Sequence, residues 1–328
     1  MLIRFYRGSH PSSFFTIPFI ALLCWIPLVF LRPESFIVQV ANPMPVYEWL
    51  YNGLSRLHIF FQFFITWLLV SIQAVYLNQL IVKHELFPRL NFLPALLFIT
   101  LSVIFPEMMQ IQPALFVNLI LLVVLDKVFL LYKNPEPLRL AFDASFLLAI
   151  ATLLDSSSVS FYFYLLLSLA ILLPFRWRVW MIVLIGFALP YYFLSVYAFM
   201  INSLADFWQH IASAFPTIHF TLPFFKPIEV AALSMVVFLL VISVFSISRH
   251  FYRNVIRIRK YFQLLFLFTL FALFSFLLKP AILLHTLFIM IVPFSVFLSY
   301  FFLQVKKKAI AEFLYILLVV FIILTRFR

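Results

Sequence analysis

The feature that most constrains this chain is a succession of long apolar runs separated by short segments rich in lysine and arginine. A helix that crosses the hydrocarbon core of a bilayer needs about 20 mainly apolar residues. Of the 328 residues, 66% are hydrophobic and 10% are charged, whereas a soluble domain carries about 25% charged residues. A water-soluble fold of this length could not bury so much apolar surface. The sequence therefore predicts an integral membrane protein.

The runs predict an all-α, polytopic transmembrane bundle that forms one membrane domain over residues 1–328. Eleven apolar runs are present, and ten crossings result if the last run does not span. They cover residues 14–31, 58–81, 92–105, 114–132, 140–154, 160–175, 179–200, 229–247, 262–278, 281–303 and 309–325. The third, fifth and sixth runs are short for a crossing, which predicts tilted helices, re-entrant pieces or halves of a broken helix.

The basic residues alternate between the two ends of the predicted helices, and this alternation predicts the topology. Lysine and arginine concentrate in cytoplasmic loops. With a cytoplasmic N-terminus, 17 of the 23 basic residues fall in predicted cytoplasmic segments. These clusters account for the net charge of +12, so we expect membrane lipids as partners and no nucleic acid.

Two connections on the predicted outer face, residues 32–57 and 201–228, are longer than the rest. Aromatic residues are interspersed through both, as suits the headgroup zone of a bilayer, and we expect short interfacial helices there. Both connections also contain acids. Glu48 and Asp206 are the candidate catalytic residues, because a transferase on this face needs a carboxylate to deprotonate an acceptor hydroxyl. His210 is a candidate group for binding a substrate phosphate.

Motifs of soluble enzymes are absent from the chain. It contains no GxxxxGK[ST] phosphate loop, no GxGxxG fingerprint, no HExxH and no CxxC. With three glycines in all, a glycine-built phosphate loop is excluded, so we do not expect ATP hydrolysis. We predict neither a metal site nor a cofactor.

Four arginines on the predicted cytoplasmic face are candidates for binding a substrate phosphate or a lipid phosphate. They are Arg176, Arg178, Arg253 and Arg257. Clusters of bases beside a helix end attract anionic headgroups by about 1 kcal/mol per residue. The alternative is that these residues orient the chain and anchor it to lipid.

Two acids, Asp126 and Asp143, are candidate intramembrane functional groups. Acidic side chains at membrane depth are costly and mark functional sites. Asp126 and its neighbour Lys127 point in different directions from a helix, so each needs a partner elsewhere or water. The alternative is that both acids are interfacial charges in contact with water.

The stretch Leu173–Trp180 has the sequence LPFRWRVW and is followed by Ile185–Tyr192, with the sequence IGFALPYY. Together with the opening Phe5–Pro11, it resembles a family of multi-spanning inner-membrane proteins from Bacteroidota over the whole chain. The resemblance implies a bacterial inner-membrane location and no particular chemistry, because the activity of that family is not established. Where the family often has Arg-Pro-Phe-x-Trp-Arg-Glu-Trp, this chain has Leu173 and Val179, so we expect no charged pair there.

The sequence leaves three functions open, and with them the question of whether the chain is an enzyme. The first is envelope biogenesis, with a glycosyltransferase-like membrane body that acts on a lipid-linked sugar; it rests on the many helices, the missing nucleotide motifs and the two acid-containing outer connections. The second is a transporter or flippase, with Asp126, Asp143 and Lys279 lining a water-filled cavity. The third is a non-catalytic scaffold subunit of a membrane complex.

Overall fold

The computed structural model describes residues 2–8, 12–31, 36–40, 42–215, 226–278 and 283–325. The helices in these ranges are α1 (Leu2–Tyr6), α2 (Ser12–Leu31), α3 (Pro45–Leu54), α4 (Ile59–Lys83), α5 (Leu93–Ser102), α6 (Pro113–Leu130), α7 (Pro137–Leu154), α8 (Ser160–Leu172), α9 (Trp177–Met200), α10 (Leu204–Ala214), α11 (Pro227–His250), α12 (Ile256–Leu278), α13 (Leu283–Gln304) and α14 (Lys308–Leu324). Apart from one isolated bridge between Ile37 and Ile111, the described ranges contain no β-structure. The predicted all-α fold is confirmed.

Seven helices in the described ranges are long and apolar enough to cross a membrane. They are α4, α6, α7, α9, α11, α12 and α13. Four shorter apolar helices lie in α2, α5, α8 and α14, so each predicted run coincides with an apolar helix. The chain thus has the architecture of a multi-pass membrane protein, while the number of crossings and the side of the N-terminus stay predictions.

The third predicted run forms a helix too short to cross a bilayer. α5 has ten residues, all of them buried, and at about 1.5 Å per residue it spans roughly 15 Å. After a break it is followed by a 3-10 turn, Pro106–Met109. Irregular backbone at membrane depth is tolerated where protein surrounds it. Burial of α5 within the bundle therefore explains how so short a run can be stable.

Proline marks the start of several helices. The first residues of α3, α6, α7 and α11 are Pro45, Pro113, Pro137 and Pro227. Proline suits this position because its fixed φ is already helical and its missing N–H is not needed in the first turn. The fifth predicted run, 140–154, is for this reason longer in the structure, where α7 begins at Pro137 and has 18 residues.

Several contacts gather the basic segments at one end of the bundle, which we call the basic end. They join Arg7 to the carbonyls of Phe302 and Val305, the Phe92 amide to the Tyr6 carbonyl, Arg257 to Glu85, Lys260 to the Ile171 carbonyl and the Tyr261 hydroxyl to the Phe129 carbonyl. The segments that charge alternation assigns to the cytoplasm therefore lie together. Which side of a membrane they face remains a prediction.

The opposite end is formed by α3, α10 and the turns between the longer helices. Its contacts are Val38 with Ile111, His210 with Pro43 and Ser156 with Ala214. Each of the two long connections contains one short helix, α3 in the first and α10 in the second. The described ranges therefore form one bundle with two chemically distinct ends.

Candidate functional site

Helices α7 and α9 pack against each other in parallel, and both begin at the basic end. Gly186 of α9 lies against Phe142 and Ser145 of α7, and further along Thr152 and Tyr191 share a hydrogen bond of 2.7 Å between their hydroxyl oxygens. A Cβ at Gly186 would clash with the Ser145 Oγ and lie 3.0 Å from the Phe142 carbonyl oxygen. Glycine thus allows a close approach that holds the first turns of both helices side by side.

These first turns border an open surface pocket of about 800 Å³, lined by residues 135–139 and 175–179. We call it the arginine pocket, because it contains Arg139, Arg176 and Arg178. Its first lining segment precedes and begins α7, and its second precedes and begins α9. The parallel packing of these two helices therefore creates the pocket.

The three arginines of the pocket have no counterion in the part of the chain that the structure describes. Among the described residues, none of their guanidinium groups forms an ion pair or a hydrogen bond. Arg178 does lie over the Trp177 ring, 6.0 Å from its centroid, where a cation–π contact is favourable. One acid, Glu136, also lines the pocket, so its charge is net positive.

The backbone adds to this positive charge. At the start of α7 the cap residue is Glu136, and at the start of α9 it is Arg176; neither side chain caps its helix with a hydrogen bond. The first amide N–H groups of a helix have no partner within it and carry a partial positive charge. Anions are therefore favoured in the arginine pocket by both the side chains and the backbone.

An apolar surface leads away from the arginine pocket along α9. Phe175 and Trp177 are exposed at the pocket, and further along α9 Met181, Leu184 and Ile185 are exposed as well. Positions four and seven or eight residues beyond Trp177 share its side of a helix. The pocket is thus continuous with a surface that can contact lipid chains.

Asp126, by contrast, has its partners within the chain. Its carboxylate accepts hydrogen bonds from Lys83 Nζ and from His84 Nε2, each at 2.7 Å. The His84 ring is buried, with the rings of Phe129 and Tyr261 edge-on to it at centroid distances of 5.2 and 5.6 Å. The group joins the end of α4 to α6 and α12. Asp126 therefore holds helices together at the basic end.

Asp143 also has a partner within the chain. This partner is Lys127, the residue next to Asp126 in the sequence. Lys127 Nζ donates to the Asp143 carboxylate at 2.8 Å, which joins α6 to α7. The side chains of this pair are 28% and 32% exposed, so water screens it more than the Asp126 group. The two neighbours Asp126 and Lys127 therefore point to different helices, and each has its own counterion.

The two arginines that follow α11, Arg253 and Arg257, do not line the arginine pocket. Arg257 forms an ion pair with Glu85, which lies just after the end of α4. Arg253 is exposed in the turn Phe251–Arg253. The structure thus separates these candidates from Arg176 and Arg178, although all four lie at the basic end.

At the opposite end, α3 and α10 bring two of the predicted site residues together. His210 Nε2 lies 3.8 Å from Glu48 Oε2 and donates a hydrogen bond of 2.7 Å to the Pro43 carbonyl oxygen. Asp206 is exposed one turn before His210 on α10, and among the described residues no hydrogen bond or ion pair joins it to Glu48 or His210. The arrangement therefore pairs Glu48 with His210 and leaves Asp206 apart.

The position of α3 depends on a buried tyrosine. Tyr47 is 1% exposed and its hydroxyl donates to the Val38 carbonyl oxygen at 2.7 Å. Burial raises the pKa of the Tyr47 phenol above its usual range, so the hydroxyl stays neutral and keeps its proton. This bond fixes α3 to the preceding chain and presents the neighbouring Glu48 at the surface.

A buried amide contact joins α4 to α6 nearer the middle of these helices. Gln73 Nε2 donates to the Leu115 carbonyl oxygen at 2.8 Å, and Asn118 Nδ2 donates to Gln73 Oε1 at 3.0 Å. The sequence gives little signal for this pair, because each residue is a single neutral amide within an apolar run. Hydrogen-bonded amides of this kind join transmembrane helices.

The residues between the amide contact and Asp126 are mainly apolar on these two helices. Buried here are Leu77, Leu80, Leu121 and Leu122. Asn78 of α4 is buried in the same stretch, so one polar side chain lies among these apolar residues. Lys279, the third residue of the predicted transport cavity, lies outside the described residues.

No protein-family model, no curated protein and no solved structure matches the chain. Membership of the Bacteroidota family thus stays a prediction from the sequence pattern. In the described part of the chain, no group of three or more His, Cys, Asp or Glu side chains is placed to hold a metal ion.

Proposed function

We propose that the arginine pocket binds the phosphate group of a membrane lipid. The observation that carries the proposal is a pocket between two helix starts that is lined by three arginines, none of which has a counterion among the described residues. A guanidinium group binds phosphate through two parallel hydrogen bonds, which makes arginine well suited to this ligand. The unpaired amide groups at the start of α7 and α9 would supply further donors.

A lipid is the source of this phosphate because of the surroundings of the pocket. The exposed side chains that lead away from it along α9 are apolar, and apolar helices of this length are those of a membrane protein. A phosphate at a bilayer boundary with an apolar surface beside it matches a lipid headgroup and its chain. A soluble phosphate compound has no acyl chain that could contact that apolar surface.

We place this binding step in envelope biogenesis at the bacterial inner membrane, with a lipid-linked sugar as the substrate class. The motif Leu173–Trp180 supports this assignment through its resemblance to inner-membrane proteins, and it also supplies Arg176 and Arg178 of the pocket. In this role the pocket holds the phosphate that links lipid to sugar. The chain then positions the substrate at the membrane boundary.

Native mass spectrometry of the full chain in detergent tests the proposal. The probe is phosphatidic acid, and diacylglycerol with the same acyl chains is the phosphate-free comparison. We expect the unmodified protein to retain phosphatidic acid and Arg176→Ala/Arg178→Ala to bind it at least about tenfold more weakly. Hydrogen bonds to charged groups contribute about 1.5–3 kcal/mol each, and tenfold corresponds to about 1.4 kcal/mol.

A matched control removes two bases from the same end of the bundle. Lys306 and Lys307 are exposed, lie at the basic end and do not line the arginine pocket. We expect Lys306→Ala/Lys307→Ala to retain phosphatidic acid as the unmodified protein does. Equal losses in the two double variants would contradict a specific site, and no loss in either would favour the scaffold role.

Group transfer at the opposite end is a second candidate function, favoured by the contact between Glu48 and His210. A carboxylate beside an imidazole can accept the proton of an acceptor hydroxyl, as a glycosyltransferase-like reaction requires. We expect Glu48→Gln to reduce envelope glycans in cells and Asp206→Asn to have the smaller effect. If both variants accumulate normally and leave the glycans unchanged, neither acid is catalytic.

A further inference from the structure

We infer that the ligand of the arginine pocket carries a diphosphate, with its two phosphate groups shared between α7 and α9. This inference rests on the proposed function, because it takes the lipid-phosphate site as its starting point and specifies the headgroup. It follows from how the donors are distributed in the pocket, from the net charge and from the volume.

The donors line the pocket from two different helices. Arg139 belongs to the first turn of α7, whereas Arg176 and Arg178 flank the first residue of α9. Each guanidinium group has five N–H donors in a fixed fork, so the two arginines of α9 are enough to bind one phosphate. Arg139 then remains available for a second anionic group beside the first.

The charge of the pocket also exceeds that of one phosphate diester. Three arginines and Glu136 leave two net positive charges, and each helix N-terminus adds a partial charge of about half a unit. A phosphate diester carries one negative charge, so a diphosphate esterified at both ends carries two. The diphosphate thus balances the side-chain charge, whereas a single diester leaves part of it uncompensated.

The volume of the pocket is consistent with this larger headgroup. Pockets of about 300–1,000 Å³ enclose whole small molecules, and the arginine pocket measures about 800 Å³. One phosphate fills only part of this space. A diphosphate fills more of it and leaves room for the group that it links to the lipid.

Two lipids that differ by a single phosphate isolate the second group. Diacylglycerol pyrophosphate and phosphatidic acid with identical acyl chains compete for the purified full chain, and native mass spectrometry measures the retained ratio. We expect a preference of about tenfold for diacylglycerol pyrophosphate, the size of one further charge-assisted contact. Inorganic pyrophosphate should compete better than inorganic phosphate, and each more weakly than the corresponding lipid.

Variants of single bases assign the preference to α7. We expect Arg139→Ala to bring the ratio close to one while phosphatidic acid is still bound, and Lys306→Ala, outside the pocket, to leave the ratio unchanged. Equal binding of the two lipids, or a preference that survives Arg139→Ala, would overturn the inference and leave the lipid-phosphate site standing. If neither lipid binds in a manner that depends on Arg176 and Arg178, the proposed function fails as well.

Discussion

Two groups of charged residues lie at the basic end, and they differ in where their counterions come from. Asp126 is bound by Lys83 and His84 from the end of the neighbouring helix, whereas the arginines of the arginine pocket have no counterion among the described residues. A charge with a partner in the chain is held in place, and removing the partner leaves a buried charge uncompensated. An arginine without such a partner has its N–H donors available for a ligand.

Closeness to the membrane boundary does not by itself indicate that a charged residue is functional. Lys127 lies near the end of α6 and Arg139 near the start of α7, yet Lys127 is paired with Asp143 and Arg139 lines the pocket. The presence of a counterion separates the two roles. Substituting a residue that has a counterion should therefore lower the free energy of unfolding more than substituting one that has none.

Asp126→Ala should destabilise the protein more than any other substitution considered below. We expect the free energy of unfolding to fall by about 3 kcal/mol, because removing one partner of a buried ion pair costs about 3–5 kcal/mol and the Lys83 side chain, 51% exposed, keeps part of its hydration. Unfolding of the purified protein by a denaturing detergent measures the change. Asp126→Asn, which keeps an acceptor oxygen, should lose less; an Asp126→Ala protein as stable as the unmodified one would remove the distinction between the groups.

The next largest effect is that of Gly186→Ala, which disturbs the helices beneath the pocket without changing its arginines. The added Cβ would clash with the Ser145 Oγ, and overpacking of this kind costs about 1–3 kcal/mol. We expect a lower unfolding midpoint and weaker retention of phosphatidic acid. Adding Ser145→Ala removes the clashing hydroxyl, so the double variant should recover part of the unfolding midpoint and part of the retention of phosphatidic acid. Full retention in Gly186→Ala would show that the pocket does not depend on this close contact.

A smaller effect is expected for the pair of Lys127 and Asp143, which is partly exposed. Screened pairs of this kind contribute about 0.2–1 kcal/mol, so Lys127→Ala should lower the free energy of unfolding by about 0.5 kcal/mol. A double-mutant cycle with Asp143→Ala isolates the interaction. If the coupling free energy of Lys127 and Asp143 were as large as the loss of stability in Asp126→Ala, this pair would behave like the buried Asp126 group.

The smallest effect on stability is expected for Arg178→Ala. Its guanidinium group is exposed, has no hydrogen bond among the described residues and contacts only the neighbouring Trp177 ring, so we expect the unfolding midpoint to fall only slightly. Retention of phosphatidic acid should nevertheless fall. A large loss of stability would mean that Arg178 serves the fold, and the contrast with Asp126 would then disappear.

The positions of the helices could be predicted from the sequence, because the hydropathy of a spanning helix is a local property of its run. The boundaries are less accurate where a contact or a proline decides them. α7 extends back to Pro137, and α5 ends at Ser102, before the predicted end of its run. The short length of α5 depends on its burial by other helices, which the run itself does not encode.

The candidate site could be predicted only in part. The sequence identifies Arg176 and Arg178 through a local motif, but not Arg139, because its place beside them depends on the parallel packing of α7 and α9 across Gly186. It also predicts that Asp126 needs a partner without indicating that this partner is on α4. Contacts between distant segments are fixed by packing, and hydropathy and charge alternation contain no record of them.

Photo-crosslinking in native membranes tests whether the arginine pocket holds a lipid phosphate, with a phosphatidic acid that carries a photoreactive group next to its phosphate as the probe. Peptide mapping of the adducts then compares the two groups of charges. We predict adducts on residues 135–139 and 175–179, reduced in Arg176→Ala/Arg178→Ala. Adducts that concentrate instead on 83–89 and 126–127, or that spread evenly over every basic segment, would contradict lipid-phosphate binding in the arginine pocket.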